Sequence, residues 1–166
     1  MLRKLELVAR GLELTISLTF LAVIVVAVFL QVLFRYVFEA PLSWTEELAR
    51  TSLIWLTFVG AAVAVRRQAH FALALVVGRL PARFRPLWEA FLASLIVIFL
   101  VVLLYQGIQM LPLVHSQLSP SLELPMSYAY LAIPAGAALM LVHLGVALAE
   151  HLGVIQPVAP EKGGDH

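Results

Sequence analysis

The chain has no cysteine among its 166 residues. That excludes disulfide exchange, thiolate catalysis and cysteine-ligated metals, and with them the four-helix membrane oxidoreductases that pass electrons through paired cysteines. Charge is scarce as well: 13% of residues are Asp, Glu, Lys or Arg, against about a quarter in a soluble domain. There is no internal repeat and no GxxxxGK(S/T) or GxGxxG phosphate loop. No catalytic residue, cofactor, metal or nucleic-acid partner is expected.

What the chain has in excess is apolar. Hydrophobic residues make up 62% and the mean hydropathy is +0.97, which places it in the bilayer class. Four runs stand out, at 14–34, 48–65, 90 to about 111 and 128–149. Each is near the roughly 20 residues needed to cross a hydrocarbon core of about 30 Å. A fifth stretch, 71–78, lies between Arg67 and Arg79 and is too short to span. It reads as a helix lying in the interface, with arginine side chains reaching the headgroups. The first run is too long for the apolar part of a signal peptide and lacks a small-residue cleavage site, so it is read as an anchor. The expected fold is an all-α membrane protein with four transmembrane helices and a short interfacial helix between the second and third. Residues 1–152 form the transmembrane domain and 153–166 a disordered cytoplasmic tail.

Orientation follows from lysine and arginine. Arg3, Lys4 and Arg10 precede the first span, and Arg66, Arg67, Arg79, Arg83 and Arg85 lie between the second and third. The connection at 112–127 has none, and the first connection has only Arg35 and Arg50. Positive residues favour the cytoplasmic side, so both termini and the middle loop are expected inside. Arg66, Arg67 and Arg79 are then anchors at the inner interface. Tyr36 and Trp44 are aromatic anchors at the outer one.

The second span opens with Ser43-Trp44-Thr45-Glu46, which fits a capping box with Ser43 as N-cap and Glu46 at N3. Glu46 and Glu47 sit at the positive end of the helix dipole. Arg50 follows Glu46 by four residues and Glu47 by three, so either can pair with it. Arg35 closes the first span and is within reach from the neighbouring helix. These four are expected to form an ion network, within the chain or at a contact with another subunit; a set of ordinary interfacial charges is the plainer alternative.

No Asp, Glu, Lys or Arg occurs in the middle of any span, and Glu13, Glu89 and Glu150 all fall at span ends. Ion-coupled transporters keep such residues facing a cavity, because intramembrane charge is costly. Four spans are also few for the inverted-repeat architecture of a self-sufficient transporter. The chain therefore reads as an anchor or auxiliary subunit. His143 is ionisable within a span. Haem ligation or proton relay is one reading of it, and a hydrogen bond between helices is the preferred one. Small residues cluster at 60–64, 132–136 and 145–149, a composition that permits close helix packing, within the unit or on a partner. Pro134 is expected to kink the fourth span.

The stretch Phe34-Arg35-Tyr36-Val37-Phe38, followed by Leu42-Ser43-Trp44-Thr45-Glu46-Glu47-Leu48-Ala49-Arg50, resembles the DctQ-type small membrane subunit of tripartite ATP-independent periplasmic (TRAP) transporters. The likeness continues through Trp55-Leu56-Thr57-Phe58-Val59-Gly60-Ala61-Ala62, Arg66-Arg67-Gln68-Ala69-His70, Leu122-Glu123-Leu124-Pro125-Met126 and Tyr130-Leu131-Ala132-Ile133-Pro134. It departs at Ala72-Leu73-Ala74, where the family often carries an Asp. The resemblance implies a non-catalytic subunit in a bacterial inner membrane that scaffolds a large permease subunit. That large subunit works with a periplasmic solute-binding protein in sodium-coupled import of organic acids. Two readings from other classes remain: a haem-bearing or structural membrane anchor of a respiratory enzyme, and a small homo-oligomeric exporter of cations.

Overall fold

The computed structural model describes residues 2–68 and 84–151. The expected interfacial helix at 71–78, Arg79 and the tail from 153 lie outside the described residues. Five helices are named here: α1 (Leu2–Tyr36), α2 (Ser43–Gln68), α3 (Arg85–His115), α4 (Ser127–Tyr130) and α5 (Ala132–His151). Four segments are long and apolar enough to cross a membrane: Gly11–Tyr36, Ser43–Val65, Ala90–His115 and Ser127–Ala149. The all-α, four-span architecture is thus as expected.

The spans form an open row. α1 packs along α2, α2 on α5, and α5 on α3, whereas α1 and α3 share no packed interface among the described residues. The sequence explains why α5 can take the centre. Its small residues Ala132, Gly136 and Ala137 are buried and let a helix approach on each side. A Cβ on Gly136 would stand 2.6 Å from Cβ of Phe58 on α2. On the other side, a Cβ on Gly107 of α3 would meet the Pro134 ring at 3.0 Å. Leu100, Gly107 and Val114, seven residues apart, form the buried seam of α3. Ala62, Leu100, Met140 and Leu144 join α2, α3 and α5 in one apolar cluster.

At Pro112 the structure differs from the sequence reading, whereas the kink expected from Pro134 appears as an interruption of the fourth span. α3 does not stop before Pro112 but carries it to end at His115. Proline costs least near a helix end, where few further turns depend on the lost amide. The fourth span is interrupted at Leu131, between α4 and α5. Pro134 has no N–H to give the carbonyl of Tyr130, and its ring crowds that turn, so the break falls just upstream. The loop 116–126 is folded back on itself. Ser119 N–H donates to the Leu124 carbonyl (2.9 Å) and Met126 N–H to that of Gln117 (2.8 Å). Glu123 makes the turn with φ of 53°.

Candidate functional site

At the end of the row where α1 and α3 finish and α2 begins, the two adjacent glutamates have different partners. Successive helical residues point about 100° apart, so Glu46 and Glu47 cannot share a face. Glu46 Oε1 accepts a 2.6 Å bond from Arg50 Nη2, in an i,i+4 ion pair whose side chains are 60% and 70% exposed. Glu47 is half-buried and turns to the loop 116–126. Its Oε2 accepts the N–H groups of Ser121 (2.9 Å) and Leu122 (3.2 Å). Arg35 is exposed and makes no ion pair among the described residues. Of the four residues expected to act together, the structure joins Glu46 to Arg50, assigns Glu47 to the loop 116–126, and leaves Arg35 facing outward.

The capping box is not formed. α2 starts at Ser43 itself, and the fully buried Thr45 donates its hydroxyl to the Leu42 carbonyl at 2.6 Å. Glu46 is engaged with Arg50 instead of reaching back along the chain. Tyr36 and Trp44 are both exposed at this end, as anchors would be. Arg66 and Arg67 belong to the last turns of α2 at the opposite end.

Trp55 ties three helices together. Its indole stacks on Phe20 of α1, with ring centroids 5.9 Å apart, and donates Nε1–H to the Tyr128 carbonyl of α4 at 3.1 Å. Close to the break in the fourth span, that carbonyl gains a partner from a neighbouring helix, as an interrupted membrane helix requires.

At the opposite end, where α1 begins and α2 and α5 finish, His143 makes the hydrogen bond between helices expected of it, and Glu13, not anticipated as its partner, joins it in a buried polar cluster. His143 Nε2 lies 2.9 Å from Glu13 Oε1, and His143 Nδ1 lies 3.1 Å from the Ala62 carbonyl. The His143 and Glu13 side chains are 11% and 8% exposed. Both ring nitrogens are engaged, so neither offers a lone pair to a haem iron without breaking the cluster. His115, at the far end of α3, bonds Ser127 Oγ at 3.0 Å. The usable signal was position: Glu13, Ala62 and His143 all lie toward the span ends that antiparallel packing brings to one side.

Comparison with known proteins accords with this geometry. Residues 24–153 match the family described as tripartite ATP-independent periplasmic transporters, DctQ component. The chain is 30% identical, over 75% of its length, to the isethionate TRAP transporter permease protein DctMQ of Oleidesulfovibrio alaskensis, of which it covers 21%. It is 35% identical, over 60% of its length, to the C4-dicarboxylate TRAP transporter small permease protein DctQ of Rhodobacter capsulatus, covering 44% of it. Over 51% of its length it is 27% identical to the sialic acid TRAP transporter small permease protein SiaQ of Vibrio cholerae, covering 49% of that protein. The chain thus spans half or less of the length of these relatives. With the family match extending over most of its length, the chain belongs to the DctQ component family of tripartite ATP-independent periplasmic transporters and is a multi-pass, non-enzymatic small permease subunit.

Proposed function

We propose that this subunit braces the large permease subunit of a sodium-coupled importer for an organic acid, fed by a periplasmic solute-binding protein. The observation that carries the reading is the open row itself. Its edge helix α1 packs mainly on α2, its edge helix α3 on the two parts of the fourth span among the described residues, and both spans are largely uncovered by the rest of the chain. Among the described residues a buried ionisable pair, Glu13 with His143, lies inside the row, and the histidine also meets a backbone carbonyl. A helical slab with bare edges is suited to support another membrane protein. The substrates named for the relatives, isethionate, a C4-dicarboxylate and sialic acid, are all organic anions. That common chemistry supports the same substrate class here.

In this reading the protein resides in the bacterial inner membrane with both termini in the cytoplasm. Tyr36 and Trp44 hold the outer interface and Arg66, Arg67 and Arg79 the inner one. Arg35, unpaired within the described chain, and the Glu46–Arg50 pair face the partner or the binding protein. Glu47 keeps the outer loop in shape for that contact. The test is affinity purification of the tagged chain from its native membrane in mild detergent, with mass spectrometry and sodium-dependent uptake in the deletion strain. A stoichiometric large permease and lost uptake are expected. Normal uptake by the large subunit alone would refute the bracing role.

A further inference from the structure

Exposed polar side chains within the spans fall into two kinds. The hydroxyls of Thr15, Thr19, Thr57 and Ser94 each donate to the carbonyl four residues earlier, at 2.7 to 2.8 Å. They are satisfied by their own helix and tolerate lipid. Gln106 and Gln109 of α3 are not of this kind. Both are exposed, and neither amide meets a hydrogen-bond partner among the described residues. Each carries two donors and an acceptor oxygen, and hydrocarbon offers nothing to bond them.

Their depth excludes an easy escape to water. The apolar span of α3 runs Ala90–His115. A helix of that length is about 39 Å long, which overhangs a core of about 30 Å by roughly 4–5 Å at each end. Gln109 then lies roughly 4–5 Å inside the hydrocarbon and Gln106 about 9 Å inside. The first can reach toward the interface, whereas the second cannot without unwinding the helix.

Both residues belong to one face. Leu95, Ile98, Val102, Gln106, Gln109 and Leu113 recur every three or four residues and are all exposed. At about 100° per residue, Val102 and Gln109 lie roughly opposite Gly107, which is pressed against α5. The face therefore points out of the edge of the row. On α1, the other edge, the exposed hydroxyls of Thr15 and Thr19 are self-satisfied, and the amide of Gln31 is half-buried rather than exposed.

We infer that the α3 face bearing Gln106 and Gln109 is where the large permease subunit docks, through a transmembrane helix that offers hydrogen-bonding side chains to the two amides. The inference rests on the proposed bracing function for the identity of the partner. It goes beyond that function in selecting α3 over α1. An apolar groove with two amide hydrogen bonds gives a register that lipid contact lacks, because each amide in hydrocarbon has only the partner helix to satisfy it.

Because the chain has no cysteine, Val102→Cys and Leu113→Cys on α3 and Val25→Cys on α1 each provide a unique thiol for a benzophenone maleimide. Photolysis is carried out in native membranes containing the whole transporter. The α3 positions are expected to give adducts with the large permease, and Val25→Cys none. Gln106→Leu, which a bilayer accommodates without cost to insertion, is expected to lower the co-purifying large permease about threefold or more. Adducts from α1 only would overturn the inference and leave the bracing function standing. Adducts between two copies of this chain would overturn it in favour of a homodimer edge. Lipid adducts alone from α3, with the large permease still co-purifying, would overturn it too. No large permease in any preparation would defeat the bracing function itself.

Discussion

Glycines in the spans differ sharply in what they allow. Gly136 lies so close to Phe58 that even a methyl group forces a shift, while Gly60 and Gly145 have open space where a Cβ would stand. Gly136→Ala is therefore expected to destabilise the protein by about 1–3 kcal/mol, the usual cost of overpacking. Gly60→Ala and Gly145→Ala are expected to change little. Thermal unfolding in detergent, followed by tryptophan fluorescence, checks the contrast; equal effects at all three positions would refute the assigned contact. A second single-residue expectation concerns the loop 116–126. Glu47→Ala removes the acceptor for Ser121 and Leu122 N–H, so deuterium exchange at those amides should rise. Glu47→Gln retains a carbonyl oxygen and should fall between, while Glu46→Ala should leave the loop unchanged, since Glu46 bonds Arg50.

At the scale of helices, α1 is held chiefly through α2. It packs along α2, with Phe20 against Trp55, and is tied to α5 by Glu13 against His143. His143→Ala removes the imidazole that joins α1, α2 and α5, leaving buried polar groups to find other partners. A loss of about 1–3 kcal/mol is expected, again read by thermal unfolding, and colourless protein with an unaltered spectrum is expected before and after the change. The break between α4 and α5 belongs to the same scale. Proline in the fourth span was plain in the sequence, but the repair was not: Trp55, on another helix, supplies the donor to the Tyr128 carbonyl.

For the whole molecule, orientation and assembly are the quantities to measure. With both termini inside, Ser121→Cys should react with a membrane-impermeant maleimide added to cells with a permeable outer membrane, and Arg3→Cys only after lysis. The reverse pattern would invert the topology assigned from the arginine distribution. Arg35→Ala, at an exposed side chain of α1 with no internal ion pair among the described residues, should leave both unfolding and the recovered large permease unchanged yet lower uptake supported by the solute-binding protein. Unchanged uptake would remove Arg35 from that contact.

Much of this protein was legible without coordinates. Four spans follow from run length against bilayer thickness, and the auxiliary role follows from the lack of charge at mid-span. The family resemblance was carried by 34–50, where an aromatic, two acids and an arginine stand at fixed spacing. What local pattern could not decide was which of several possible partners each polar group takes. Glu46 and Glu47 were equally placed for Arg50 by spacing, and only the loop 116–126 folding back beside α2 separated them. Glu13 is a span-end charge, as its position says, but only antiparallel packing showed that it pairs with His143. The open row itself was also invisible, because hydrophobic runs facing lipid and runs facing other helices read alike. In a bilayer both surroundings are apolar, so hydropathy counts spans but cannot order them; contacts such as Gly136 on Phe58 do that.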